Sequence, residues 1–322
     1  MSDNDVEQSL LFKVAQAYYL EGATQEEIGR RFGLSRIKVS RLLKRARDEH
    51  VVQITVAAPS GSLAEAEQQL ANHLGLDELV IADINAFDGP TVTRALGAAA
   101  APVLLRHLDG RATLAVSAGS ALSAVVDALP RRVWPQVTVV QMLGGVGRAD
   151  AETQGADIVR RLAATLGARP QMLASPGIVA TRQVRDALLS DPQVFDTLSR
   201  AAGAQVALVG IGIPAQTSSR LGQGAILTAA DVDELAAHHA VGDIALRFFD
   251  GDGQLVHTSL DQRIIGLEHE QIRRIPCVIA VAGGMAKLAA IRAVLKGHLA
   301  NVLVTDVYVA RRILEEVERG QL

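Results

Sequence analysis

Short apolar runs that alternate with amphipathic stretches constrain this chain more than any other feature. The runs are Glu78–Ala82, Ala112–Ser117, Val137–Leu143, Val206–Ile211, Val278–Ala282 and Asn301–Thr305. Between them lie helical patterns at Leu63–Leu74, Val92–His107, Leu122–Leu129, Ala156–Leu166 and Met285–Lys296. Apolar strands separated by helices imply a parallel sheet covered on both faces. Ligands on such sheets sit at the carboxyl ends of the strands.

That pattern begins only after Pro59-Ser60-Gly61-Ser62, and 322 residues are about twice a usual domain. Two domains are expected, residues 1–57 and 58–322. Hydrophobic residues at 49% and charged residues at 21% supply a core and exclude a disordered chain. No apolar stretch approaches the roughly 20 residues of a membrane helix. The start, Met1-Ser2-Asp3-Asn4-Asp5, is acidic rather than a secretory signal. A lone cysteine, Cys277, makes no internal disulfide or cysteine metal site. A soluble, cytoplasmic protein without cofactor, metal or membrane partner is expected.

The net charge of −3 argues against bulk attraction to nucleic acid, but its distribution does not. Arg30, Arg31, Arg36, Lys38, Arg41, Lys44, Arg45 and Arg47 stand together with no acidic residue among them. Such a cluster is either a solvated helix face or a footprint for a polyanion. Its surroundings favour the second. Leu10, Leu11, Val14, Ala17 and Tyr18 have helical spacing over Ser9–Leu20, which Gly22 ends. Thr24 and Glu27 form a capping-box pattern for a second helix, Gly33 stops it, and Ser35 caps a third running to about His50. Gly29 is small where two helices would cross, and Ile28, Phe32, Leu34, Val39 and Leu42 fall where a helix-turn-helix buries its core.

At 100° per residue, Val39, Leu42, Leu43 and Ala46 share the core face of the third helix. Ile37, Arg41 and Lys44 point away, flanked by Ser40 and Arg45. The start of this helix enters the major groove, so Ser35, Arg36, Ile37, Ser40 and Arg41 are candidates for base edges. Ile37 either touches a thymine methyl or packs on the preceding turn. Lys38, Lys44, Arg45 and Arg47 are candidates for phosphates. Val51–Val56 reads as a wing or an exit strand. One such module buries little surface, so a homodimer or homotetramer on double-stranded operator DNA is expected.

Three strand ends are candidates for a small ligand. Ser117-Ala118-Gly119-Ser120 runs straight into a helix, either presenting Ser117, Gly119 and Ser120 to an anion or making an ordinary turn. Gly144-Gly145 either lets a ligand approach the backbone or permits a turn. Gly283-Gly284-Met285-Ala286-Lys287 places a lysine in a first helical turn, an unfavourable position unless a phosphate arrives. Asp243 is a candidate for sugar hydroxyls or a turn cap, within a strand that ends at the Asp250–Gly253 turn. Gly210-Ile211-Gly212-Ile213-Pro214-Ala215 nominally fits a dinucleotide motif, but Pro214 opens no helix. His238-His239 lacks metal-ligand spacing and reads as structural.

With these residues collected, the chain resembles the SorC family of bacterial sugar-responsive regulators along nearly its whole length. The resemblance rests on Ala23 to Arg36, Gly242-Asp243, Phe248-Phe249-Asp250, Arg273-Arg274-Ile275-Pro276, Ala282-Gly283-Gly284, Lys287 and Thr305-Asp306. It implies a Rossmann-like α/β effector domain related to ribose-5-phosphate isomerase and glucosamine-6-phosphate deaminase. It also implies a phosphorylated sugar or polyol as effector, with phosphate at Gly119, Ser120 and Lys287. Ala118 and Ala121 depart from the tryptophan and threonine that many members carry there.

The expected function is therefore a non-enzymatic DNA-binding regulator of a carbohydrate operon. Two rivals are a sugar-phosphate isomerase or deaminase with a DNA-binding appendage, and a constitutive scaffold. The enzyme needs a positioned acid–base pair, and the sequence shows no convincing one, leaving only Asp243 and Asp261 open.

Overall fold

The computed structural model describes residues 3–49, 51–52, 63–85, 88–146, 155–214 and 228–321. The chain divides into two compact units, Met1–Ser60 and Gly61–Leu322.

The first unit carries three helices, α1 (Asp3–Tyr19), α2 (Gln25–Phe32) and α3 (Arg36–Asp48). Reciprocal bonds start α2: Thr24 Oγ1 accepts from the Glu27 amide at 3.3 Å, and the Glu27 carboxylate accepts from the Thr24 amide at 2.8 Å. Gly33 ends it at φ 67°, and Ser35 Oγ accepts from the Lys38 amide at 3.3 Å to start α3. Leu11, Val14 and Ala17 meet Ile28, Val39, Leu42, Leu43 and Ala46 in one apolar cluster.

Two expectations are corrected. Tyr18 is 37% exposed, and it is Tyr19 that packs on the core, because the last turn of α1 brings the following residue inward. Gly29 relieves a turn rather than a helix crossing, since a Cβ there would lie 2.7 Å from the Leu34 carbonyl oxygen. Val52 packs on this core and donates to the Ala46 carbonyl at 2.9 Å, Val51 is exposed, and residues 53–56 of the Val51–Val56 run lie outside the described residues.

The second unit is built on a parallel seven-stranded sheet in the order β1-β9-β8-β5-β2-β3-β4. Its strands are β1 (Glu78–Ala82), β2 (Thr113–Val116), β3 (Thr138–Gln141), β4 (Arg169–Gln171), β5 (Val206–Gly210), β8 (Cys277–Val281) and β9 (Val302–Asp306). Alternate residues serve two cores: Leu114, Leu208, Ile279 and Val304 one face, Ala115, Val209, Ala280 and Leu303 the other. This is why the strands read as continuous apolar runs. The chain steps outward from β2 to β4 and returns to the other side of β2 at β5, making a switch point between them.

Helices α4 (Ala64–Leu74), α5 (Gly89–His107), α6 (Ser120–Ala128) and α7 (Gly155–Leu166) lie near the expected bounds. The Met285–Lys296 pattern divides into a single 3₁₀ turn, Met285–Lys287, and an α-helix, Leu288–Lys296. The apolar stretch from Gly242 is a hairpin, β6 (Gly242–Ile244) and β7 (Arg247–Phe249), not one strand. Its turn residues Ala245 and Leu246 hold φ of 51° and 64° without glycine, so sequence gave no turn signal there. Beyond the sequence expectation the described residues add strand β4, the helices α8 (Arg182–Leu189) and α9 (Pro192–Ala202), the helix Ala229–Ala237, the 3₁₀ turn Ser259–Arg263, the short helix His269–Arg273 and the last helix, Val307–Glu318.

Candidate effector cleft and DNA-reading helix

Helix α3 turns Val39, Leu42, Leu43 and Ala46 inward and leaves Arg36, Ile37, Lys38, Ser40, Arg41, Lys44 and Arg47 exposed, as does its cap Ser35. Ile37 is 68% exposed and packs on no core, which removes the reading that buries it against the turn. Two cations of the cluster are held within the unit. Arg31 pairs with Glu21 at 2.5 Å and lies over the Phe32 ring, and Arg45 pairs with Glu49 at 2.6 Å. The exposed face of α3 therefore presents Arg36, Arg41 and Lys44 around an apolar contact, a surface suited to base edges and phosphates.

In the second unit, a cleft of about 800 Å³ opens where the carboxyl ends of β8 and β9 meet the starts of α5 and α6. Among the described residues its walls include Thr93 and Arg94 of α5, and Ser120, Ser123 and Asp127 of α6. The Gly283–Lys287 turn, Asp306 and Tyr308 close the other side. Arg94 donates to Thr91 Oγ1 at 3.3 Å and is exposed. Lys287 Nζ donates to the Ile211 carbonyl at 2.6 Å. Arg161 of α7 braces the α6 wall, bonding Ser123 Oγ at 3.0 Å and pairing with Asp127. Two cations, three hydroxyls, a phenol and the amino end of α6 suit a small polyhydroxylated anion.

The structure brings Ser120, Gly283, Gly284 and Lys287 together on this cleft, with Gly119 immediately before it as the cap of α6 at φ 141°. Four other candidates have structural duties. Ser117 is 2% exposed, and its Oγ accepts from the Gly210 amide at 3.3 Å, tying the end of β2 to that of β5. Gly144 is pressed against Pro176, whose carbonyl oxygen would lie 2.4 Å from a Cβ. Gly145 exchanges bonds with Ser175 and Gly177. Asp243 is buried, pairs backbone with Gly212, and accepts from the Leu246 amide at 3.1 Å, supporting the positive-φ turn.

Sequence reasoning missed Arg94, Tyr308 and Asp306 as cleft residues. Arg94 lies in the second turn of α5 and Tyr308 in the first turn of the last helix, both in an unremarkable pattern. Asp306, noted as part of a resemblance, carries its signal as a carboxylate ending an apolar strand. Lys287 sits not in the first turn of an α-helix but at the end of the 3₁₀ turn that precedes one. The enzyme candidates are also committed: Asp261 accepts from Arg247 at 3.3 Å and from the Thr258 amide at 3.0 Å. The polar end of the nominal dinucleotide motif, from Ala215, lies outside the described residues.

The family model "Putative sugar-binding domain" matches residues 59–315, and "Sigma-70, region 4" matches residues 13–49. The chain is 31% identical to the sorbitol operon regulator of Klebsiella pneumoniae over 97% of its length and 100% of that protein's. It is 30% identical to the erythritol catabolism regulatory protein EryD of Brucella abortus, over 96% of this chain and 98% of that one. The crystal structure of full-length SorC from Klebsiella pneumoniae superposes with a TM-score of 0.73 at 28% identity, covering 98% of this chain and 99% of that chain. A helix-turn-helix unit joined in one chain to a parallel α/β unit with a cationic, hydroxyl-lined cleft defines a ligand-sensing DNA-binding regulator. The chain belongs to the SorC family of transcriptional regulators, the kind that governs carbohydrate operons.

Proposed function

We propose that this regulator is controlled by a phosphorylated sugar or polyol bound in the α5–α6 cleft. The observation that carries the reading is the convergence of Lys287, Arg94, Ser120 and the Gly283-Gly284 turn on one opening. In this reading phosphate lies between Lys287 and the amino end of α6, and hydroxyls meet Thr93, Ser123 and Tyr308. Residues 1–57 bind double-stranded operator DNA, with Ser35, Arg36, Ile37, Ser40 and Arg41 toward bases and Lys38, Lys44, Arg45 and Arg47 toward phosphates. Residues 58–322 sense the effector and assemble a cytoplasmic homodimer or homotetramer, because paired half-sites need paired helices. The effector acts by favouring one subunit arrangement over another, which requires different affinity for the two.

A thermal-shift screen with pentose and hexose phosphates, polyol phosphates and the unphosphorylated sugars tests this. A ligand at a hundred times its Kd stabilises by about 2.7 kcal/mol. A shift with a phosphorylated compound and none with its parent sugar is expected. No shift with any compound favours the constitutive scaffold.

A further inference from the structure

The Gly283–Lys287 turn is held by a carboxylate that also serves a second element. Asp306, the last residue of β9, is 1% exposed. Its Oδ2 accepts from the Gly284 amide at 2.6 Å. Its Oδ1 accepts from the amides of Tyr308 and Val309 at 3.0 and 3.2 Å, capping the C-terminal helix Val307–Glu318. The fit is close: a Cβ on Gly283 would come within 2.5 Å of Oδ2 and 3.0 Å of Leu96 Cδ1. Gly284 stands at φ 88°, a conformation that glycine adopts without a steric penalty and that L side chains rarely take.

We infer that Asp306 is the positioning residue of the effector site: it fixes the glycine turn that presents Lys287, and links that turn to the C-terminal helix. This rests on the reading of the cleft given above. A carboxylate beside an anion site would ordinarily oppose binding. Here three amides satisfy it, so it sets backbone geometry while Lys287 faces the ligand. Because one oxygen serves the turn and the other the helix, displacement of the turn by a ligand is felt at Tyr308, on the same cleft, and along the Val307–Glu318 helix.

The two duties separate by substitution. Asp306→Ser keeps a good helix cap but is too short to reach Gly284, whereas Asp306→Asn keeps the size and sets an amide donor or a neutral oxygen against the Gly284 amide. In full-length protein, amide hydrogen exchange at Gly284 is expected to accelerate at least tenfold in Asp306→Ser, while amides in the middle of the Val307–Glu318 helix keep their protection. Affinity for the phosphorylated compound found by the screen is expected to fall at least tenfold in both variants, with Asp306→Glu restoring part of it. Unchanged Gly284 exchange, or exchange that rises equally along the whole helix, overturns the inference, as does unchanged affinity in a folded variant. If the wild-type protein binds none of the compounds, the effector reading fails, and faster exchange confined to the turn still supports the positioning role.

Discussion

Lys287 Nζ donates to the main-chain carbonyl of Ile211 at 2.6 Å, joining the turn after β8 to the segment that leaves β5. The ammonium thus stands at the carboxyl edge of the sheet, on the cleft between α5 and α6. A ligand phosphate offers it a stronger, charge-assisted partner than a neutral carbonyl. Lys287→Ala is predicted to abolish the response to a sugar phosphate while sparing operator binding. Fluorescence anisotropy of a labelled promoter fragment, with and without ligand, measures both; a normal response refutes the phosphate assignment.

Arg41 stands on the exposed face of α3, opposite Val39 and Leu42. Arg41→Ala is predicted to weaken operator binding by about 1–3 kcal/mol and relax preference at one base pair. Lys44→Ala is predicted to weaken all sequences alike and to reduce the salt slope by about one. Binding isotherms at several salt concentrations on single-substituted operators separate the two; the opposite pattern exchanges their roles.

Gly97 of α5 faces Ala124 of α6 so closely that a Cβ would lie 2.4 Å from the Ala124 carbonyl. Gly97→Ala must push these helices apart, and Ala124 lines the cleft. Overpacking of this kind costs about 1–3 kcal/mol. A lower melting temperature with weaker effector binding is expected; an unchanged melting temperature refutes the packing argument.

The α2 capping box carries a pH dependence of known sign. The bonds from the Thr24 amide and hydroxyl hold the Glu27 carboxyl below the ordinary glutamate range. A carboxylate with a depressed folded value contributes stability above the unfolded value and loses it as pH falls through the folded one. Glu27→Gln is predicted to remove that contribution at neutral pH and to converge with wild type in acid. Thermal melts across this range test it; a difference that grows toward acid contradicts the sign.

Much of this architecture is legible in the residues because one physical demand dominates each place. Thr24, Glu27, Gly33 and Ser35 are chosen by unsatisfied amides and positive φ, which leave few alternatives. The two-faced strands show as apolar runs because both sides are covered. Local pattern fails where a distant partner decides. Gly144 is small because Pro176 presses on it, and Ser117 is polar because Gly210 needs an acceptor. The hairpin turn at Ala245 and Leu246 has ordinary residues, since Asp243 and the surrounding core hold it. Arg94 and Tyr308 reach the cleft through helix placement, which no short window of sequence encodes.

The most direct measurement is the affinity of purified full-length protein for its own promoter fragment, titrated with each sugar phosphate at fixed salt. The account predicts that one phosphorylated compound changes this affinity at least tenfold, and that its unphosphorylated parent does not. An affinity that stays constant with every compound contradicts it.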